Sequence, residues 1–268
     1  MSLKYSHAIV ARLSDGLRNK EEFDLETAKE QHKQFCSLLR EIGLDVIELP
    51  PDDELPYSVF VETSVVICNG VALIAKSEDP MRQKEANSIA ITLKKELDIP
   101  VEVIENPNAQ LHGGDVLFTG REFFVGISNF TNEDGARAVA TTFPEYPVTP
   151  IKVGGTKPLK YYVSMAGPDV LSVSNSTVCQ EIVKRMEREA SFKYLKITLP
   201  EEHAANMLYI NGTLVYRSPE EILESYKIIK EKIDIPSRNI NISEFSQFST
   251  GLTSACVLLR RWKSIRNI

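Results

Sequence analysis

The sequence lacks several features that would indicate large classes of protein. No apolar run approaches 18 residues, and no long apolar run follows a basic N-terminal start, which argues against a membrane span or a cleaved signal peptide. The formal net charge is −6, whereas a nucleic-acid or anionic-membrane partner would favour clustered positive charge. The one basic cluster is the C-terminal tail, residues 260–268, which we interpret as a short solvated terminus.

Cysteine is also scarce. The four cysteines, at positions 36, 68, 179 and 256, are scattered and form no CxxC pair, so no zinc or redox motif is present. The sequence therefore predicts neither a metal nor a cofactor. Without a signal peptide, these thiols are expected to be reduced, which predicts a cytoplasmic protein.

What the sequence does contain is a repeat in the order of its elements. Helical patterns begin near Asp24, Asp79, Asn132, Ser176 and Ser218, a spacing of roughly 40 to 56 residues that is typical of repeat architectures. Short β-like runs, usually three, lie between consecutive helices. After the last helix only two are visible, and the N-terminal run 7–12 supplies the missing one.

This pattern predicts a closed five-bladed α/β-propeller formed by one domain, residues 1–268, with the basic tail at its end. Its predicted strands include 58–68 and 252–259. The alternative is an open doubly wound sheet. That fold alternates one strand with one helix, so three strands per helix favour the propeller.

Four segments carry a resemblance to a known family. They are LHGGDVLFTGREFFVG at 111–126, SMAGP at 164–168, VFVE at 59–62 and GLT at 251–253. In sequence, order and spacing they resemble dimethylarginine dimethylaminohydrolases, members of the guanidino-group-modifying (pentein) superfamily, from His7 to about Leu259. The paired glycines would let the backbone enter the central cavity, and Asp115 would anchor the turn.

The resemblance implies a hydrolase that converts methylated arginine to citrulline and a methylamine. A cysteine thiolate attacks the guanidinium carbon, a histidine protonates the leaving amine and activates water, and carboxylates hold the cation. Such a division of labour is chemically reasonable, because a guanidinium is a poor electrophile until the nucleophile is ionised and the leaving nitrogen is protonated.

The catalytic positions that the resemblance implies are altered in this chain. The family's histidine falls on Pro158, which can neither donate nor accept a proton, and its nucleophile falls on Ser254. Cys256 follows two residues later, and residues i and i+2 of a strand share a face. We therefore expect Cys256 to present its thiol to the same cavity, where His112 could activate it as in other Cys-His pairs.

The substrate-binding positions are altered too. Glu62 and Arg82 match family residues that hold the guanidinium and the substrate carboxylate. Other positions of the pattern carry residues of different chemistry: Tyr57, Thr63 and His112 where the family has acidic residues, and Phe130 where it has a second arginine. The candidate substrate-binding set is therefore Tyr57, Glu62, Thr63, Arg82, Asp115 and Phe130. Each lost charged hydrogen bond weakens cation binding by on the order of 1.5 to 3 kcal/mol.

Three functions remain open at this point. One is an ordinary dimethylargininase, and a second is an amidinohydrolase that uses a relocated Cys256–His112 pair. The third, which we favour, is a non-catalytic or nearly inactive paralogue whose cavity binds a small ligand or a protein partner. Tyr57 and Phe130 add apolar surface where charge is expected, so the ligand could be arginine-like or less charged. We expect a monomer or homodimer without a nucleic-acid or membrane partner.

Overall fold

The structure is a computed structural model that describes residues 4–17, 23–248 and 250–260; Arg261, Lys263 and Arg266 of the predicted basic tail lie outside these ranges. The strands are β1 (His7–Ala11), β2 (Asp45–Leu49), β3 (Val65–Cys68), β4 (Val71–Ile74), β5 (Val101–Glu102), β6 (Val116–Phe118), β7 (Phe123–Ile127), β8 (Val148–Lys152), β9 (Val163–Gly167), β10 (Val170–Ser174), β11 (Leu195–Leu199), β12 (Leu208–Ile210), β13 (Thr213–Arg217), β14 (Ser237–Ile240) and β15 (Val257–Leu259). The α-helices are α1 (Leu25–Glu41), α2 (Pro80–Lys95), α3 (Glu133–Thr142), α4 (Leu159–Tyr162), α5 (Thr177–Glu189), α6 (Leu223–Lys232) and α7 (Ser243–Ser246).

The strands form five separate three-stranded sheets that repeat one topology. In each sheet the first strand pairs antiparallel with the second, and the second pairs parallel with the third across a helix, as in β3-β4-α2-β5. The sheet β15-β1-β2 joins the two ends of the described chain, with β1 antiparallel to β15 and parallel to β2. The predicted five-bladed α/β-propeller, closed by the N-terminal strand, is therefore confirmed.

Side-chain caps fix the start of four of the five main helices. Asp24, Asp79, Asn132 and Ser176 each accept a hydrogen bond from a backbone N–H of the first turn, so these four helices begin where the sequence predicts. The fifth main helix is α6, but the prediction that it begins at Ser218 is wrong, because it begins at Leu223. The residues between form a turn in which the N–H groups of Glu221 and Ile222 bond to the Ser218 carbonyl.

The apolar core follows the same repeat. Buried residues fall into five clusters, and each cluster contains the inward face of one main helix and the sheet beneath it. In α2, for example, Ala86, Ile89 and Leu93 pack on Ala72 and Ile74 of β4. None of the described helices has the length and apolarity needed to cross a lipid bilayer.

A turn of helix precedes the first strand of every sheet. These turns are Val61–Ser64, Gly113–Asp115, α4, Glu202–Ala205 and Leu252–Ala255. The predicted strands 58–68 and 252–259 are therefore wrong over their first halves. In both segments a hydroxyl bonds to a carbonyl three residues earlier, Thr63 to Phe60 and Ser254 to Gly251, which favours a turn over an extended chain.

Candidate functional site

The helical turns surround an outer cavity of about 720 Å³. Its wall includes Tyr57 and Phe130 at the rim and Arg82, His112, Pro158 and Ser254 deeper in. Tyr57 and Phe130 are 40% and 42% exposed, so both present apolar surface to the cavity. Glu62 and Thr63 line it as well, so seven of the nine site residues predicted from sequence meet here with Pro158, and Asp115 and Cys256 do not.

A second, smaller cavity lies among the first strands of the five sheets. This inner chamber, of about 150 Å³, is lined by residues of β3, β6, β9, β12 and β15 together with Tyr5 and Cys256. Most of the residues that line it are of apolar type, with Glu62, Lys160, Ser164 and Thr253 among the polar ones. Cys256 therefore belongs to the inner chamber rather than to the outer cavity.

Three side chains line both cavities and form a partition between them: Glu62, Lys160 and Thr253. Lys160 Nζ lies 2.6 Å from Glu62 Oε1, and the Thr253 hydroxyl donates to Glu62 Oε2 at 2.8 Å. Asn206 holds Lys160 and Thr253 in place. Its Nδ2 donates to the Lys160 carbonyl and to Thr253 Oγ1, and its Oδ1 accepts a hydrogen bond from the Thr253 N–H. Both Glu62 oxygens are thus engaged within the protein.

Sequence reasoning missed Lys160, Thr253 and Asn206. Lys160 does carry a signal, since it is a cation directly before an apolar run and lies two residues after Pro158. Asn206 follows the turn of another blade, and nothing local indicates that its amide meets Thr253, 47 residues away.

The imidazole of His112 is held by the turn that follows it. Its Nδ1 accepts the Gly114 N–H at 3.0 Å, so the ring proton resides on Nε2. Burial, with the nearby charges of Arg82 and Lys160, lowers the His112 pKa to about 3. The ring is therefore neutral at pH 7, and it packs against Phe130 with ring centroids 5.3 Å apart.

Gly113 and Gly114 are needed because this turn passes close to other groups. A Cβ on Gly113 would lie 1.9 Å from the Glu62 carbonyl oxygen, and one on Gly114 would lie 2.9 Å from the His112 ring. The paired glycines therefore allow the close backbone approach that the sequence predicts.

The expectation that Ser254 and Cys256 face one cavity is wrong. Ser254 lies in the turn Leu252–Ala255, and Cys256 follows that turn in extended conformation, so the alternation of a strand does not apply. Ser254 Oγ donates to the Gly251 carbonyl at 2.6 Å. The Cys256 side chain is 3% exposed, and burial, followed by the charge of Glu62, raises the thiol pKa well above its ordinary value.

Arg82 projects from α2 to the wall of the outer cavity and is bound on its protein side. Its guanidinium donates to Thr63 Oγ1 at 2.6 Å, to the Tyr57 carbonyl at 3.2 Å and to Glu85 Oε2 at 2.5 Å. Thr63 thus serves as an acceptor for Arg82, and the Tyr57 ring lies 5.9 Å from the guanidinium carbon.

The prediction that Asp115 contacts a substrate is wrong. Its side chain is fully buried and accepts three hydrogen bonds, from the hydroxyls of Ser128 and Thr131 and from the Leu159 N–H. Burial raises its pKa to about 6, against the lowering effect of these donors. Asp115 therefore fixes the start of α4, the helix that carries Lys160.

No three His, Cys, Asp or Glu side chains within residues 4–17, 23–248 and 250–260 are grouped closely enough to hold a metal ion.

Solved structures define the class of fold to which this site belongs. A dimethylarginine dimethylaminohydrolase from Pseudomonas aeruginosa, a cysteine-to-serine mutant complexed with citrulline, is 24% identical with a TM-score of 0.81, covering 96% of this chain and 100% of that one. An amidinotransferase from Microseira wollei, SxtG, is 14% identical with a TM-score of 0.79, covering 98% and 96%. The fold is therefore the pentein α/β-propeller.

Sequence comparison defines the family. The family model described as eukaryotic N,N dimethylarginine dimethylhydrolase matches residues 8–206. The human protein named putative hydrolase DDAH2 is 31% identical over 269 residues, covering 95% of this chain and 94% of its own length. The Pseudomonas aeruginosa N(G),N(G)-dimethylarginine dimethylaminohydrolase is 28% identical over 243 residues, covering 88% and 89%. This chain belongs to the dimethylarginine dimethylaminohydrolase family.

Proposed function

We propose that this chain is a binding member of the family that has lost, or nearly lost, hydrolysis of methylated arginine. One observation carries the proposal: the Cys256 thiol lines the inner chamber, whereas the His112 imidazole lines the outer cavity. A displaced Cys-His pair would need both groups within hydrogen-bond reach of each other and of one substrate.

The state of each group supports the same conclusion. A thiol must ionise to attack, and burial raises the pKa of Cys256. His112 cannot take its proton, because Nδ1 already accepts the Gly114 N–H and Nε2 carries the ring proton. Ser254, at the position that the family resemblance assigns to the nucleophile, donates its hydroxyl to a backbone carbonyl, and Pro158 offers no base.

The outer cavity is also poorly suited to a guanidinium. Glu62 is neutralised by Lys160, and the neighbouring positions Thr63 and His112 are neutral. The other two carboxylates of the cavity wall, Glu78 and Asp79, accept hydrogen bonds from the Gln110 side chain and from the Met81 N–H. A cation beside Glu62 would therefore lose hydration without gaining an unpaired carboxylate there, which is costly at a partly buried site. The half-exposed residues Tyr57 and Phe130 instead suit a small ligand that carries an aromatic or other apolar group.

Calorimetry with asymmetric dimethylarginine tests this proposal, using His112→Glu as the variant and His112→Gln as the uncharged control. Restoring one carboxylate should strengthen binding at least about tenfold, as expected for one charged hydrogen bond. The control should bind as weakly as the unmodified chain. Tight binding by the unmodified chain, unchanged in His112→Glu, would contradict the proposal.

A further inference from the structure

Behind Arg82 lies a buried carboxylate whose hydrogen bonding is incomplete. Glu85, one turn along α2, is 4% exposed, and its Oε2 lies 2.5 Å from Arg82 Nη1. Its other oxygen, Oε1, is buried and has no hydrogen-bond partner. An unpaired carboxylate oxygen in such a place is costly when the group is ionised and much less so when it carries a proton.

The charged groups around Glu85 leave its ionised and protonated forms close in free energy. On its own helix, Arg82 favours the ionised form and Asp79 opposes it, and the Tyr57 N–H adds a favourable hydrogen bond. Three other elements pack against α2. Glu62, on the turn Val61–Ser64, is paired with Lys160, the strand β4 is apolar, and Glu102 of β5 is exposed. Burial outweighs the attraction of Arg82 and raises the Glu85 pKa to about 7.

Arg82 does not depend on Glu85 alone for its position. If Glu85 takes up a proton from solvent, the guanidinium keeps the Tyr57 carbonyl and Thr63 Oγ1 as acceptors. Its positive charge, however, is then no longer balanced. Because Arg82 lines the outer cavity, that charge acts on whatever the cavity holds.

We propose that Glu85 is a positioning residue that controls Arg82: the ionised form retains the guanidinium on the wall of the outer cavity, and the protonated form releases its charge to an anionic group of the ligand. Arg82 matches the family arginine that holds the substrate carboxylate, so the ligand group affected is a carboxylate or similar anion, and the new element is that Glu85 makes its binding tighter as pH falls through neutrality. This assignment of ligand class rests on the proposed binding role, whereas the control of Arg82 by Glu85 does not.

Nitrogen-15 NMR of the arginine side chains tests the control directly, without a ligand. The Nε–H signal of Arg82, assigned by its loss in Arg82→Lys, should shift between pH 5.5 and 8.5 with a midpoint near the Glu85 pKa of about 7. In Glu85→Gln the shift should disappear. The signal of Arg185, whose partner Glu181 is half exposed, is the internal reference. An Arg82 signal that is independent of pH, or that titrates equally in Glu85→Gln, would overturn the proposal.

Acetate, a carboxylate ionised across this range, tests the ligand class in the same experiment. If only the protonated form of Glu85 frees Arg82, acetate should perturb the Arg82 signal with about tenfold higher affinity at pH 6 than at pH 8, since apparent affinity follows the competent fraction. Glu85→Gln should bind equally at both values. No acetate effect at either pH, or equal affinity in the unmodified chain, would overturn the ligand class. Neither result depends on citrulline formation, so failure here is distinct from failure of the proposed function.

Discussion

The outer cavity and the inner chamber share a partition but differ in chemistry. The outer cavity gathers polar and aromatic side chains on helical turns, with two half-exposed rings at its rim. The inner chamber is built from strands, and its thiol is almost fully buried. The intact propeller scaffold thus places Cys256 and His112, the two members of the hypothesised catalytic pair, on opposite sides of the Glu62–Lys160–Thr253 partition.

Two phenylalanines sharpen this contrast most strongly. Phe123 lines the inner chamber and is fully buried, so Phe123→Ala should lower the free energy of unfolding by about 4 kcal/mol. Phe130 lines the outer cavity and is 42% exposed, so Phe130→Ala should cost less than about 1 kcal/mol. Denaturant unfolding measures both, and similar losses would show that the rim ring is part of the core.

The partition itself is expected to contribute substantially to stability. Lys160 and Glu62 have side chains only 16% and 11% exposed, so Lys160→Met would leave a largely buried, unpaired carboxylate. We expect a loss of about 3 kcal/mol in the free energy of unfolding. The matched control is Lys227→Met, which removes a pair with Glu224 that is 61% exposed on both sides and should cost under about 0.5 kcal/mol. Equal losses would contradict the account of the partition.

Glu85, which lies behind Arg82 of the outer-cavity wall, should make the free energy of unfolding depend on pH. Its pKa rises from 4.5 when unfolded to about 7 when folded, so its stabilising contribution is complete below pH 4.5 and is lost as pH rises through 7. The unmodified chain should therefore lose roughly 2 kcal/mol relative to Glu85→Gln between pH 5 and 8. Unfolding curves at both pH values measure this difference, and parallel pH dependences of the two proteins would contradict it.

Thiol labelling compares the two cavities chemically. In Ser254→Cys, iodoacetamide should label the new thiol of the outer cavity about tenfold faster than Cys256 of the inner chamber, because burial raises the pKa of Cys256 and restricts access to it. Peptide mass spectrometry resolves the two sites within one molecule, so Cys256 is its own control. Faster labelling of Cys256 would indicate a reactive thiol and support the relocated pair.

Much of the fold could be predicted from sequence because it repeats. Caps at Asp24, Asp79, Asn132 and Ser176 set four helix starts, and the apolar runs between them set the strands. The turns at Val61–Ser64 and Leu252–Ala255 could not be predicted, since they depend on hydroxyl-to-carbonyl bonds within apolar sequences that resemble strands.

The candidate site was less predictable than the fold, because one of these unpredicted turns determines which cavity its side chains line. The turn Leu252–Ala255 places Ser254 and Cys256 in different cavities, which reverses the expectation from strand alternation. The partition depends on contacts over long sequence separations, such as the 191 residues between Thr253 and Glu62. Neither local pattern nor propensity specifies such contacts.

Citrulline release from asymmetric dimethylarginine, measured for the unmodified chain and for Cys256→Ala, tests the central claim most directly. Because the thiol and the imidazole lie in separate cavities, we predict no citrulline above a protein-free control from either folded protein. Clear turnover by the unmodified chain that is lost in Cys256→Ala would establish a working amidinohydrolase with a relocated nucleophile and would contradict the account.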